Sequence, residues 1–239
     1  MPGLLKLIQD RQSTRGPYDP KRSIPRQDMI QILEAGRWAP TAHNMQNFEI
    51  MVVDDKKLLK AIGDIKGPMS EIFIQENYQQ LSSSEEELLQ KKVGVLATMF
   101  PPFMRNPGGK LDAETGEQGA AFQSRLIQAS SALVIVLYDS SKRAPASEGD
   151  FMGIISLGCV MENMWLMANS LGIDFHIVSA ISAPPVAKEV MKLLNIPKNL
   201  QIAYSARLGY ATGPAKYLRV RRDISDFTHH NQFESKGLE

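Results

Sequence analysis

Apolar positions recur first at helical and then at strand spacing along the chain, and each change of period marks an element. Leu4, Leu7 and Ile8 share one face and predict a short helix over Leu4–Gln9. The stretch from Arg11 to Arg22 is polar and basic, with Gly16, Pro17 and Pro20 as breakers. A second helix is expected from Pro25, a residue suited to the first helical position. It carries Met29, Ile30, Leu33 and Gly36 on one face and stops at Pro40. Phe48–Val53 reads as a strand, and Asp54-Asp55 opens a small helix to Ile62. Ser84 and Glu87 form a capping-box pattern that predicts a helix to about Met99. Pro101, Pro102, Asn106, Pro107, Gly108 and Gly109 then mark a long loop. Ala132–Tyr138 is rich in β-branched residues and reads as a buried strand. Ser140–Ser147 is a linker, and Asp150–Ser170 is a long apolar helix ended by Gly172. Ile173–Ser179 is a strand, Pro184–Leu194 a helix and Gln201–Tyr210 a strand.

Strands and helices intermixed in this order predict one α+β domain over 1–239, a central sheet with helices packed on it. A doubly wound sheet fits less well, because strand–helix alternation breaks across the middle third. The stretch 63–131 has no repeat and is expected to be a helical and loop insert covering a site. The segment 211–239 has too few apolar residues for a domain and reads as a C-terminal arm.

Composition changes this picture little. With 239 residues, 43% of them apolar, the chain can bury a core without a disulfide or a metal. A net charge of +1 gives no reason to expect nucleic acid or a membrane as partner. The single thiol, Cys159, has no partner for an internal disulfide and suits a reducing compartment. Asp10 and Arg11 cut short any N-terminal apolar stretch, and Ala132–Tyr138 is far too short to span a bilayer. The expectation is a cytoplasmic protein. His43, His176, His229 and His230 show no metal spacing, so no metal is expected. Cys159, Met161, Met164 and Met167 read as core, and Ser156 lacks the context of a hydrolase nucleophile.

Three clusters could carry chemistry. Arg11-Gln12-Ser13-Thr14-Arg15 sets two guanidinium forks and two hydroxyls within five residues, a match to phosphate oxygens. Ala39-Pro40-Thr41-Ala42-His43-Asn44-Met45-Gln46-Asn47 links a helix to a strand and offers amides and hydroxyls to the edge of a heteroaromatic ring. Arg219 and Arg221 fall on one side of an extended segment. Each also suits a plainer role: a solvated basic loop, an ordinary turn, a basic tail. No Gly-x-Gly-x-x-Gly unit follows a strand and no Gly-x-x-x-x-Gly-Lys-Ser/Thr loop exists, so side chains would have to hold any phosphate.

Taken in order, these clusters resemble the nitroreductase family of FMN proteins. The family's Arg-x-Ser-x-Arg is Arg11, Ser13 and Arg15, and its Ala-Pro-Ser-x-x-Asn-x-Gln is Ala39, Pro40, Thr41, Asn44 and Gln46. Its long apolar helix with a Leu-Gly turn is Asp150–Ile173, and its closing Leu-Gly-Tyr and basic pair are Leu208-Gly209-Tyr210 with Arg219 and Arg221. The resemblance covers 63–131 least. It implies a central mixed or antiparallel sheet flanked by helices, in an intertwined homodimer with FMN at the interface. Arg11, Gln12, Ser13 and Arg15 would contact the cofactor, with Arg219 and Arg221 joining at the phosphate. Pro40 would line the site, Asn44 with neighbouring Thr41 would come from the partner chain, and Gln46 would lie near the ring or its ribityl arm. His176 and the segment Ile177, Val178 and Ser179 would run beside the ring. Gln12 stands where the family often has a cation, which bears on redox poise. The implied activity is hydride transfer from NAD(P)H to a nitroaromatic, quinone or enoate-like acceptor by a ping-pong mechanism. The alternatives are a flavin-cleaving or reductively dehalogenating relative on the same fold, or a flavin store.

Overall fold

A computed structural model describes residues 3–67, 82–105, 113–146, 148–213 and 218–235. The chain forms two compact units, Met1–Gly67 with Ala120–Ala215, and Pro68–Gly119 with Lys216–Glu239.

The first unit opens with α1 (Leu4–Asp10), α2 (Arg26–Arg37), β1 (Phe48–Val53) and α3 (Lys56–Gly63). The second contains β2 (Ser82–Ser83), α4 (Glu85–Lys91) and β3 (Val95–Leu96). Helix α5 (Ala113–Gln128) runs from one unit into the other. The first unit then continues with β4 (Ala132–Asp139), α6 (Phe151–Ser170), β5 (Asp174–Ile177), α7 (Pro184–Leu193) and β6 (Leu200–Gly209). A short α8 (Ile224–Phe227) belongs to the second.

The main sheet is antiparallel throughout, in the order β1-β4-β6-β5. Strand β4 is central and buried on both faces, which explains its unbroken apolar run. Val134 and Val136 pack with Ala206, Leu208 and Phe175 under Ile32 of α2 and Leu157, Val160 and Met164 of α6. Leu133, Ile135 and Leu137 face the other way, against Leu59 and Ile62 of α3 and Val186 and Val190 of α7. Each such side chain contributes about 1.5–3 kcal/mol by leaving water.

Helix α6 is long and apolar enough to cross a membrane by length and composition alone, a feature hidden from a reading of uninterrupted apolar runs. Its buried residues Gly153, Leu157, Val160, Met164 and Ala168 make a stripe at three- and four-residue steps, flanked by buried Ser156 and Trp165, as in a core helix. It ends in a Schellman turn. Ile173 N–H donates to the Ala168 carbonyl at 2.9 Å and Gly172 N–H to that of Asn169 at 3.1 Å. Gly172 takes φ +69°, which glycine adopts without steric cost.

Several boundaries differ from the sequence reading. In α2 the buried face holds Ile32 and Gly36, whereas Ile30 is exposed, because at 100° per residue Ile30 lies off the Met29–Ile32–Gly36 stripe. Pro25 is the N-cap rather than the first helical residue. The Ser84–Glu87 capping box is present, but α4 stops at Lys91 because Lys92 turns left-handed at φ 53°. Strand β5 ends at Ile177, and Ser179–Ser182 forms a 3-10 turn instead of continuing the strand. The stretch 63–131, read as a helical and loop insert without assigned limits, contains the 16-residue helix α5. Of the long-loop markers, Asn106, Pro107, Gly108 and Gly109 lie outside the described residues.

Candidate functional site

The segment after α1 runs as a strap along β5. Ser13 makes a parallel bridge to Phe175, and Thr14 N–H donates to the Phe175 carbonyl at 3.2 Å. Thr14 points inward, buried, with Oγ1 donating to Asp174 Oδ1 at 2.7 Å. Asp174 is held in turn by the Ala211 N–H at 2.7 Å. In an extended segment side chains alternate between faces, so Ser13 and Arg15 point to the face opposite Thr14. Arg15 is exposed.

Arg11 leaves α1 across the long helix. Its Nε lies 3.2 Å from Glu162 Oε1, and its guanidinium sits 4.5 Å from the centre of the Trp165 ring. Trp165 Nε1 donates to the Gln12 carbonyl at 3.2 Å and its ring stacks on Phe175. Thus α6 and β5 together fix the strap that displays Arg11, Gln12, Ser13 and Arg15.

The second cluster forms a tight polar loop beyond α2. Ala42 N–H donates to Ser156 Oγ on α6 at 3.1 Å, which ties the loop to that helix. Thr41 closes the loop twice: its carbonyl accepts from Asn44 N–H at 3.0 Å and its Oγ1 from Gln46 N–H at 3.2 Å. The Gln46 amide donates to Asn44 Oδ1 at 3.3 Å. His43, Asn44 and Gln46 adopt φ of 53°, 53° and 46°. Left-handed conformations at non-glycine residues cost about 1–3 kcal/mol each and cluster at binding sites. Pro40 and the exposed side chains of His43, Asn44 and Gln46 lie on the loop's outer side. Gln46 also lines a cleft of about 280 Å³ with Leu33, Arg37, Phe48, Glu49, Ile50 and Lys142.

Strap and loop therefore stand on one helix. Ser156 and Glu162, their respective anchors, are six residues apart, about 9 Å along the axis. Beside the strap, Val178 N–H donates to the Ser205 carbonyl at 2.9 Å, and Ser205 Oγ donates back to the Val178 carbonyl at 2.9 Å. These bonds hold Val178 against β6, and Ser179 beyond it is exposed. Arg219 and Arg221 are exposed and belong to the second unit. Arg221 Nη1 donates to the Val220 carbonyl at 2.7 Å.

Three polar side chains back the strap, and of them the sequence reading names only His176. Arg207 is fully buried and donates through Nε to His176 Nδ1 at 2.9 Å. Burial first, then the charges of Arg207 and Arg15, push the His176 imidazole down to about 3. Asp174 is the third. The one signal in the sequence was a charge inside an apolar strand run, at Asp174 and at Arg207.

The nitroreductase family model matches residues 8–210, most of the chain. This chain belongs to the nitroreductase family. Solved nitroreductases share the fold across nearly their whole length. An FMN-dependent nitroreductase from Clostridium difficile R20291 is 15% identical, with 96% of this chain and 100% of that one covered and a TM-score of 0.61. A nitroreductase with bound FMN from Desulfitobacterium hafniense DCB-2 is 19% identical, with 97% and 100% covered and a TM-score of 0.60. Another with bound FMN, from Bacteroides fragilis NCTC 9343, is 22% identical, with 95% and 98% covered and a TM-score of 0.57. No curated protein matches the sequence. The matched region takes in the strap, the polar loop, α6 and Leu208-Gly209-Tyr210, and stops before Arg219.

The donor set of this nitroreductase suits a flavin mononucleotide. The strap offers guanidinium and hydroxyl groups, which answer a phosphate. The loop offers neutral amides, which answer a ring edge carrying both donors and acceptors.

Proposed function

We propose that this nitroreductase is an FMN-dependent oxidoreductase that passes hydride from NAD(P)H to a small electron-poor acceptor such as a nitroaromatic, a quinone or an enoate. The observation that carries the reading is the strap: Ser13 and the exposed Arg15 beside Arg11, anchored on the same helix as the amide loop. Arg11, Ser13 and Arg15 would hold the phosphate. Glu162 would share Arg11 with it. Pro40, Thr41, Asn44 and Gln46 would shape the ring site, and Ile177, Val178 and Ser179 would run beside the ring. FMN, when bound, supplies hydride acceptance and release at N5. Gln12 brings a hydrogen-bonding amide and no charge to that neighbourhood. Donor and acceptor would use one cleft in turn, which gives ping-pong kinetics.

The working form in this reading is a homodimer with both chains at each site. Phe151, Met152, Ile154 and Ile155 leave the outer face of α6 apolar and exposed, with Leu4 and Leu5 exposed on the adjoining α1. A second copy of the chain is the partner that covers such a face symmetrically. Sedimentation velocity of FMN-reconstituted protein, followed at the flavin band, tests cofactor and assembly together. The expected result is one flavin-carrying boundary of dimer size, with FMN and not FAD released on denaturation. A flavin-free boundary contradicts the cofactor assignment, and a flavin-carrying monomer contradicts the dimer.

A further inference from the structure

Beneath the strap lies a charged side chain for which hydride transfer has no use. Arg207 sits in β6, in register with Leu133 of β4 and His176 of β5, on the sheet face opposite α6. It is fully buried, and its guanidinium reaches in several directions. Nη2 donates to the carbonyl of Thr14 at 3.1 Å and to that of Gly16 at 2.5 Å. Nη1 lies 3.5 Å from the Leu126 carbonyl at the end of α5. Nε donates to His176 Nδ1 at 2.9 Å. The Tyr18 ring lies 3.9 Å away, and the Tyr18 hydroxyl returns to the Thr14 carbonyl at 3.1 Å.

Two consequences follow from guanidinium chemistry. Arginine stays protonated and has no acceptor, so Nε–H must be the donor and His176 Nδ1 must carry the lone pair. The imidazole proton is therefore on Nε2, and the depressed basicity of His176 keeps the ring neutral. Second, the carbonyls of Thr14 and Gly16 flank Arg15, and both accept from the same rigid fork. With the peptides on either side pinned, Arg15 is presented from a fixed backbone. Less ordering is left to be done when an anion binds, and that saving appears as affinity.

We propose that Arg207 is the positioning residue of the phosphate-binding strap: its buried fork clamps the backbone on both sides of Arg15 and fixes His176 as the Nε2–H tautomer. The proposal rests on the reading that the strap holds the FMN phosphate. Arg207 touches no cofactor; it acts through Thr14, Gly16 and His176. Lysine keeps the charge but replaces the planar fork with one flexible ammonium, which does not reproduce the Nε contact and the paired carbonyl contacts together.

The test compares FMN with riboflavin, which lacks only the phosphate, by fluorescence titration of the wild type, Arg207→Lys and Arg207→Gln. The wild type is expected to bind FMN much more tightly than riboflavin. Arg207→Lys should lose about tenfold or more in FMN affinity, the scale of hydrogen bonds to a charged group, with riboflavin affinity unchanged. An unchanged FMN-to-riboflavin ratio in folded variants overturns the proposal, and so does an equal loss for both ligands, which marks a general structural role. A wild type without preference for FMN overturns the phosphate reading itself, which is a separate result. A second measurement needs no folded Arg207 variant. Long-range proton–nitrogen NMR of the wild type, with His176 assigned by loss of its signals in His176→Gln, should show a neutral ring protonated at Nε2 at neutral pH. A proton at Nδ1, or an imidazolium, overturns the clamp.

Discussion

His176 and Arg207 show how a single side chain couples the interior to the strap. The imidazole, ordinarily at 6.5, is held at about 3 by burial and by the charges of Arg207 and Arg15. Between those values the unfolded chain takes up a proton that the folded chain refuses. This contribution to stability is therefore complete above about pH 6.5 and is lost as the pH falls toward 3, by up to about 1.4 kcal/mol per pH unit. His176→Gln keeps an acceptor for Arg207 Nε but does not titrate. Its urea-unfolding free energy should decline less steeply than that of the wild type between about pH 6 and 4, the difference approaching one proton. Parallel profiles would mean that His176 takes up its proton in the folded state. Arg11, Ser13 and Arg15 of the strap were legible in the sequence because guanidinium and hydroxyl groups at close spacing advertise an anion. The residues that hold the strap were not. Thr14, Asp174 and Arg207 meet across more than 150 positions of chain, and spacing along a sequence carries no trace of such contacts.

Elements with a strong period were readable and those ruled by single residues were not. Phe48–Val53, Ala132–Asp139 and Leu200–Gly209 alternate or run apolar, and all form strands close to their expected limits. The limits of helix α5 went unread because Gly116 and Gly119 dilute a pattern that is polar in its first half. The end of α4 depends on one left-handed residue, Lys92, which no periodicity announces. Gly209 shows an element limit whose cause is a close approach. A Cβ there would stand 2.7 Å from Tyr18 Cδ2 and 3.1 Å from Ser131 Oγ. Tyr18 is buried against Arg207 and cannot swing into solvent. Gly209→Ala should cost about 1–3 kcal/mol, the range for overpacking. Equilibrium unfolding within about 0.5 kcal/mol of the wild type would show that the ring yields without penalty.

At the scale of the whole molecule, the α+β class was present in the pattern and the family in the motifs, while the sheet, mixed or antiparallel by the resemblance, is antiparallel throughout. The family motifs fall on the strap, the loop and the long helix, and the fold brings the first two onto the third. The exposed apolar face of α6 was less visible, since a helix apolar all round gives no sign of which side stays exposed. Together these parts suit a reducible flavin. Anaerobic titration of the FMN-loaded protein with NADH and with NADPH, followed at the flavin absorbance band, tests this directly. The expected result is full bleaching by at least one nicotinamide and recovery of colour when a nitroaromatic or a quinone is added. A flavin that stays oxidised with both donors, in protein shown to bind FMN, would contradict the assigned activity.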